Sequence, residues 1–110
     1  MKEHEKRLVW LHGEVKTPPF STGARREAGF LLRMLQRGYS VGMPRSRPMP
    51  SIGVRCHELR IEDTDLSWRI VYTIENDAVV ILEVFPKKAQ RTPRHVIEKC
   101  RARLRAYRLL

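Results

Sequence analysis

The segment Ala78-Val79-Val80-Ile81-Leu82-Glu83-Val84-Phe85 is apolar at every position except Glu83. Its length suits a strand and is short for a buried helix. A run that does not alternate belongs to a central strand covered on both faces, because exposing either row of side chains would leave several Val, Ile or Leu residues in water. The rest of the chain must supply neighbouring strands and enough helix to cover it. Pro86 follows and is expected to end the strand, since proline has no N–H for the ladder.

The neighbours can be read by the same rules. Arg7-Leu8-Val9-Trp10-Leu11-His12 is a short strand stopped by Gly13. Thr17-Pro18-Pro19 breaks any regular pattern before Ser21 or Thr22, either of which can cap a helix. Ala24, Ala28, Leu31, Leu32 and Leu35 repeat at helical spacing, predicting an amphipathic helix over 22–37 that Gly38 stops. Residues 39–53 hold Gly42, Pro44, Pro48, Pro50 and Gly53, with Arg45 and Arg47 between them, and read as an exposed basic loop. Strands are expected over 54–61 and 66–74, joined by the polar turn Glu62-Asp63-Thr64-Asp65, and Glu75-Asn76-Asp77 makes a tight hairpin into the apolar strand. Thr92-Pro93 opens a last helix, with Thr92 as cap and Pro93 at the first helical position. Val96, Ile97, Cys100, Leu104 and Tyr107 form its buried stripe. The order strand, helix, three strands, helix defines a small α+β domain.

The chain is 110 residues long, enough for one core, so 1–110 is a single domain, with 1–6 as a flexible charged tail. No apolar stretch approaches the ~18–20 residues of a membrane span, and no apolar signal region follows the charged start, so the expected location is the cytoplasm. Cys56 and Cys100 have neither CxxC spacing nor a zinc partner pattern and read as a reduced pair, with Cys100 buried as a small hydrophobe.

Charge is the strongest functional signal. The net charge is +10, and 16 of the 22 basic residues are Arg. Residues 1–50 carry a net +6, residues 51–84 a net −4 and residues 85–110 a net +8. That asymmetry describes a directed basic surface for a polyanion, and Arg in particular grips phosphate with a planar fork.

Period-2 geometry locates candidate residues. On 54–61, Cys56, Glu58 and Arg60 share one face and His57, Leu59 and Ile61 the other. On 66–74, Arg69, Val71 and Thr73 share one face, while Trp68, Ile70, Tyr72 and Ile74 meet the helices. Antiparallel pairing would set Arg60 beside Arg69, with Lys87 and Lys88 extending from the neighbouring strand. Arg60, Arg69, Lys87, Lys88 and Arg91 could then line a phosphate cradle. They could equally form a solvated face neutralised by Glu58 and Glu83. Of the four histidines, His4 falls in the tail, His57 faces the helices, and His95 sits near the C-terminal basic run, where it is the better candidate for proton transfer. No GxGxxG, P-loop or HExxH pattern is present.

These residues resemble a known family. Glu58-Leu59-Arg60-Ile61, Trp68-Arg69-Ile70-Val71-Tyr72, and Val80 through Pro93 with its Phe85-Pro86-Lys87-Lys88 are similar to the phage-derived HigB-like branch of the RelE/ParE toxin superfamily. Leu35-Gln36-Arg37-Gly38 and Trp10 fit the same branch. The resemblance spans about residues 8–107. It implies a RelE-like fold: an antiparallel-dominated sheet of about four strands with helices packed on one face and a basic concave surface on the other. It also implies a type II toxin with a cognate antitoxin, expected to carry a helix-turn-helix, and ribosome-dependent cleavage of mRNA codons in the A site. The partners would be the ribosome and mRNA, with no membrane, no cofactor and no metal.

By the same resemblance, Arg69 binds the scissile phosphate, Lys87 and Lys88 supply the basic pair after the last strand, and Arg60 is structural or RNA-binding. The acid near the C-terminus has His95 and Tyr107 as its options. Arg45, Arg47, Arg91 and Arg94 would hold RNA. Pro86 departs from the Gln common before the Lys pair. Two other functions remain open on the same fold: a ParE-type inhibitor of gyrase, or a nucleic-acid-binding protein without catalysis.

Overall fold

The computed structural model describes residues 5–87 and 91–110. It is an α+β fold with seven elements: β1 (Arg7–Trp10), α1 (Thr22–Gln36), β2 (Ser46–Pro48), β3 (Cys56–Glu62), β4 (Ser67–Ile74), β5 (Ala78–Lys87) and α2 (Arg94–Arg108). The strands form one mixed sheet in the order β1-β5-β4-β3-β2, with β1 parallel to β5 and every other pair antiparallel. The apolar strand β5 lies between β1 and β4 and is fully buried from Ala78 to Leu82.

Five strands rather than four form the sheet. The additional one, β2, lies within the segment read as a loop. It pairs Ser46 with Leu59, Arg47 with Glu58 and Pro48 with His57. A three-residue edge strand carries too little periodicity to be recognised, and its edge position tolerates Pro48.

The helices also do not share a face. Ala24, Ala28, Leu31, Leu32 and Leu35 of α1 pack on Leu59, Ile61, Trp68, Ile70, Tyr72, Val79 and Ile81. Val96, Cys100 and Leu104 of α2 pack on the opposite side, against Cys56, Val71, Ala78, Val80 and Leu82. Two-sided cover is what the uninterrupted apolar strand requires.

Local chemistry explains the boundaries. Ser21 caps α1, its Oγ accepting from the Ala24 N–H at 3.0 Å, which contributes about 1 kcal/mol. Just before it, Phe20 stacks on Trp68 with ring centroids 4.2 Å apart. Asp63 in the β3–β4 turn ties both together, accepting from the Ser21 N–H and from Trp68 Nε1, each at 2.9 Å. Strand β5 runs through Pro86 to Lys87 instead of ending before the proline. Pairing with β1 stops at Trp10 and Ile81, so Pro86 has no ladder partner on that side and its missing N–H is tolerated there.

Two further expectations change. Thr92 does not cap α2: the N-cap is Pro93, without a side-chain bond. Glu5 and Lys6 are not a loose tail. Lys6 N–H donates to Gln36 O at 2.8 Å, its Nζ donates to the carbonyls of Glu75 and Asn76, and Glu5 pairs with Arg37 at 3.4 Å. The tail residues 1–4 lie outside the described residues. No described helix is long and apolar enough to cross a membrane.

A β-bulge between Val71 and Tyr72 governs the α2 side of the sheet. Tyr72 pairs with Ile81 but Val71 pairs with Glu83, so Leu82 is the extra residue. Up to this point the even positions of β5 face α2: Ala78, Val80 and Leu82. After it the odd positions do. Glu83 pairs with Arg103 of α2 at 3.4 Å, Phe85 joins the α2-side cluster, and Val84 packs on the α1 side. The change of parity delivers Lys87 to the same face as Arg69.

Candidate anion-binding site

Antiparallel register sets Arg60 directly opposite Arg69, and Arg69 opposite Phe85. Like charges across a strand pair repel, so the arrangement needs a compensating anion. Glu58, two residues before Arg60 on the same face, supplies it. Its side chain is 2% exposed, and its Oε1 lies 3.3 Å from Arg69 Nε, 3.8 Å from Lys87 Nζ and 3.8 Å from Arg47 NH2. Its Oε2 accepts a 2.5 Å hydrogen bond from the Thr92 hydroxyl. One carboxylate therefore faces three cations, with Arg60 as a fourth close by.

The cations are held but not saturated. Arg69 NH1, Lys87 Nζ and Arg47 Nε are buried nitrogens with no hydrogen-bond partner among the described residues. Buried donors of this kind are costly unless something satisfies them. Burial pushes the Arg69 guanidinium down from its usual value, and the charge of Arg60 adds to this against the opposing pull of Glu58. Burial likewise lowers Lys87, again opposed by Glu58 and reinforced by Arg69, Arg47 and Arg60. A pocket of about 90 Å³ opens onto this group, lined by Met43, Pro44, Arg47, Glu58, Arg60 and Arg69. Excess positive charge, unsatisfied N–H donors and a small opening together fit a compact oxyanion such as a phosphate group.

The sequence-predicted residues divide into two groups. Arg60, Arg69, Lys87 and Arg47 are brought together. Arg69 and Lys87 are buried rather than open to solvent, at 4% and 5% exposure. Arg45 is exposed, and only its backbone carbonyl joins the group, accepting from the Arg60 N–H at 2.7 Å. Arg91 is exposed, and Arg94 pairs with Glu98 at 3.9 Å on the outer face of α2. His95 is exposed in the first turn of α2, with no hydrogen bond or ion pair among the described residues. Lys88 lies outside the described residues. His57 is on the α1 side, stacked on Tyr72 at 5.4 Å. Tyr107 is half-buried against the α2-side core rather than fully buried, and Cys100 is fully buried, its thiol pushed up to about 12 chiefly by burial.

Thr92 and the central role of Glu58 escaped sequence reasoning. The period-2 pattern sets Glu58 on the face of Arg60 and Arg69 and predicts a counter-charge there, but gives no sign that the carboxylate is buried. Glu83, the other expected neutraliser, serves elsewhere, between His12 at 3.5 Å and Arg103 at 3.4 Å.

Fold and site define a small α+β protein with a pocket lined by three arginines and one glutamate on a five-stranded sheet. The family model described as phage derived protein Gp49-like (DUF891) matches residues 19–105. The chain belongs to this family of phage-derived, toxin-like proteins. No curated protein matches it significantly.

Proposed function

We propose that this protein is the toxin of a type II toxin–antitoxin system, of the HigB-like branch, and that it cleaves mRNA on the ribosome. The observation carrying this reading is a phosphate-sized pocket lined by Arg47, Arg60 and Arg69, with buried nitrogens on Arg69, Arg47 and the neighbouring Lys87 that have no hydrogen-bond partner among the described residues. In the proposed reaction the 2′-hydroxyl attacks the adjacent phosphorus and the bond from phosphorus to the 5′-oxygen breaks. The products are a 2′,3′-cyclic phosphate and a free 5′-hydroxyl. Arg69 takes the charge that builds on the phosphoryl oxygens. Removal of one such fixed donor costs roughly 10²–10³ in rate. Lys87, whose ammonium is already disfavoured by burial, and Lys88 assist departure of the 2′-proton. His95 returns a proton to the leaving oxygen once the RNA closes over the start of α2. Arg45, Arg60, Arg91 and Arg94 hold the flanking RNA, giving salt-sensitive binding. No cofactor or metal is assigned. The cognate antitoxin, a helix-turn-helix protein, covers the basic pocket in the cytoplasm.

The test is primer extension on a reporter mRNA in a reconstituted translation system, with wild type, Arg69→Ala and Lys87→Ala/Lys88→Ala, each checked for folding by circular dichroism. Ribosome-dependent cuts within A-site codons that vanish in the folded variants are expected. Intact mRNA with wild type would overturn the reading and favour gyrase inhibition or RNA binding without cleavage.

A further inference from the structure

The cation group is a geometric problem that the chain solves with one residue. Arg69 and Lys87 come from adjacent strands, Arg47 from the edge strand β2, and all three are drawn to a single oxygen, Oε1 of Glu58. None of these approaches is a hydrogen bond; they are charge contacts at 3.3–3.8 Å. Among the described residues the only hydrogen bond to the carboxylate comes from Thr92, which lies beyond β5 at the entry to α2 and binds the other oxygen at 2.5 Å. Glu58 and Thr92 are both buried, at 3% and 8% exposure. The carboxylate thus has one oxygen fixed by a neutral donor and the other free to gather cations, whose remaining N–H groups stay unspent.

We infer that Glu58 is a positioning residue, which holds Arg69, Lys87 and Arg47 as a convergent fan of phosphate donors and is itself aimed by the Thr92 hydroxyl. The inference concerns how the site is built and rests on the preceding proposal only for the RNA-cleavage readout. Without the Glu58 charge, Arg47, Arg60, Arg69 and Lys87 repel one another and separate. Without the Thr92 hydroxyl, the carboxylate can rotate and release one or more of them.

The experiment uses the full chain as wild type, Glu58→Gln, Thr92→Val and Thr92→Ser. Two quantities are measured: the pKa of Lys87 by NMR of its side-chain carbons, and the single-turnover rate of mRNA cleavage on ribosomes against its half-saturation. The charged groups facing Lys87 are Glu58, Arg69, Arg47 and Arg60. Of these only Glu58 raises its pKa, so Glu58→Gln lowers it further. The cleavage rate falls about 10- to 100-fold, the scale expected for misplaced groups, while half-saturation changes less than about twofold. Thr92→Val moves both readouts in the same direction by less, and Thr92→Ser restores both. A folded Glu58→Gln variant with wild-type Lys87 pKa and rate overturns the inference. If Glu58→Gln does not fold, a Thr92→Val variant matching wild type in both readouts overturns it. Wild type that fails to cleave RNA, with the Lys87 shifts as expected, refutes the proposed function and leaves the positioning role standing.

Discussion

Replacing Lys87 by Met should stabilise the fold while impairing the proposed RNA cleavage. The Lys87 side chain is 2% exposed, and the nearest anion, Glu58 Oε1, is 3.8 Å from Nζ. At that separation and an effective dielectric of about 20 the attraction is about 4 kcal/mol. Burying the ammonium costs several kcal/mol, and Arg69, Arg47 and Arg60 all repel it. The direction of the pKa shift gives the sign of the balance. Burial is the largest influence and the lysine is lowered from its ordinary value of 10.5, so the charged form is less favourable in the folded chain than in the unfolded one.

Methionine has a similar linear shape without the charge, and it leaves Glu58 with Arg69 at 3.3 Å and Arg47 at 3.8 Å. A gain of about 1–3 kcal/mol follows, in the range seen when buried ionic groups are replaced by apolar ones. For a chain of this size that corresponds to a rise in Tm of roughly 4–8 °C per kcal/mol. Urea unfolding followed by circular dichroism measures it. A pH series adds a second check. Between the lowered folded pKa and 10.5 the unfolded chain binds more protons at Lys87 than the folded one, so the Lys87 contribution makes wild-type stability rise with pH in that window. Below both values the full penalty is present. The advantage of Lys87→Met should therefore be greatest near neutral pH and shrink toward pH 10.5. A variant less stable than wild type, or an advantage that does not change with pH, would refute the reasoning.

Gly13, at φ +89°, has Val84 Cβ and Cγ2 only 2.9 Å from where its own Cβ would lie; Gly13→Ala should cost about 2–4 kcal/mol from left-handed strain and overpacking together, and Gly13→Ala/Val84→Ala should recover only the part due to the Val84 side chain. Gly29, inside α1 with nothing within 4 Å of a built Cβ, gives the opposite sign, and Gly29→Ala should raise stability by up to about 1 kcal/mol in the same urea titration. Asp63 is held well below the usual carboxylate range, first by the Ser21 N–H and then by Trp68; its contribution is complete above the ordinary Asp pKa and lost as pH falls through the lowered value, so acid titration of Asp63→Asn against wild type should show the two stability curves converging as pH drops.

Much of the fold was legible because it rests on periodicity. The helix predicted over 22–37 is Thr22–Gln36, the strand over 66–74 is Ser67–Ile74, and Trp68, Ile70 and Tyr72 face α1 as the alternation requires. The errors fall where a local rule was decided by a distant partner. Pro86 continues β5 because β1 has already stopped pairing with it. Thr92 has the chemistry of a cap, but its hydroxyl is claimed by Glu58, 34 residues away. The placement of α2 on the face opposite α1 was implied by the apolar run of β5. The resemblance implies helices on one side, and the structure follows the apolar run instead.

The site was half legible for a related reason. Arg60 and Arg69 could be placed on one face because each strand alternates without interruption up to their pairing. Lys87 could not. Counting by twos along β5 from Val79 and Ile81, which face α1, puts Lys87 on the α1 side, away from Arg69. The bulge at Val71 and Tyr72 reverses the count, turning Glu83, Phe85 and Lys87 toward α2. One extra residue in the ladder therefore determines whether Lys87 joins Arg47, Arg60 and Arg69, and nothing in the local sequence marks its position. The same displacement carries the lysine into a buried setting beside two arginines, where it weakens the fold. An apolar residue at position 87 would serve packing better, so packing alone does not account for a bulge that sets a destabilising charge beside unsatisfied donors, whereas the anion site proposed above does.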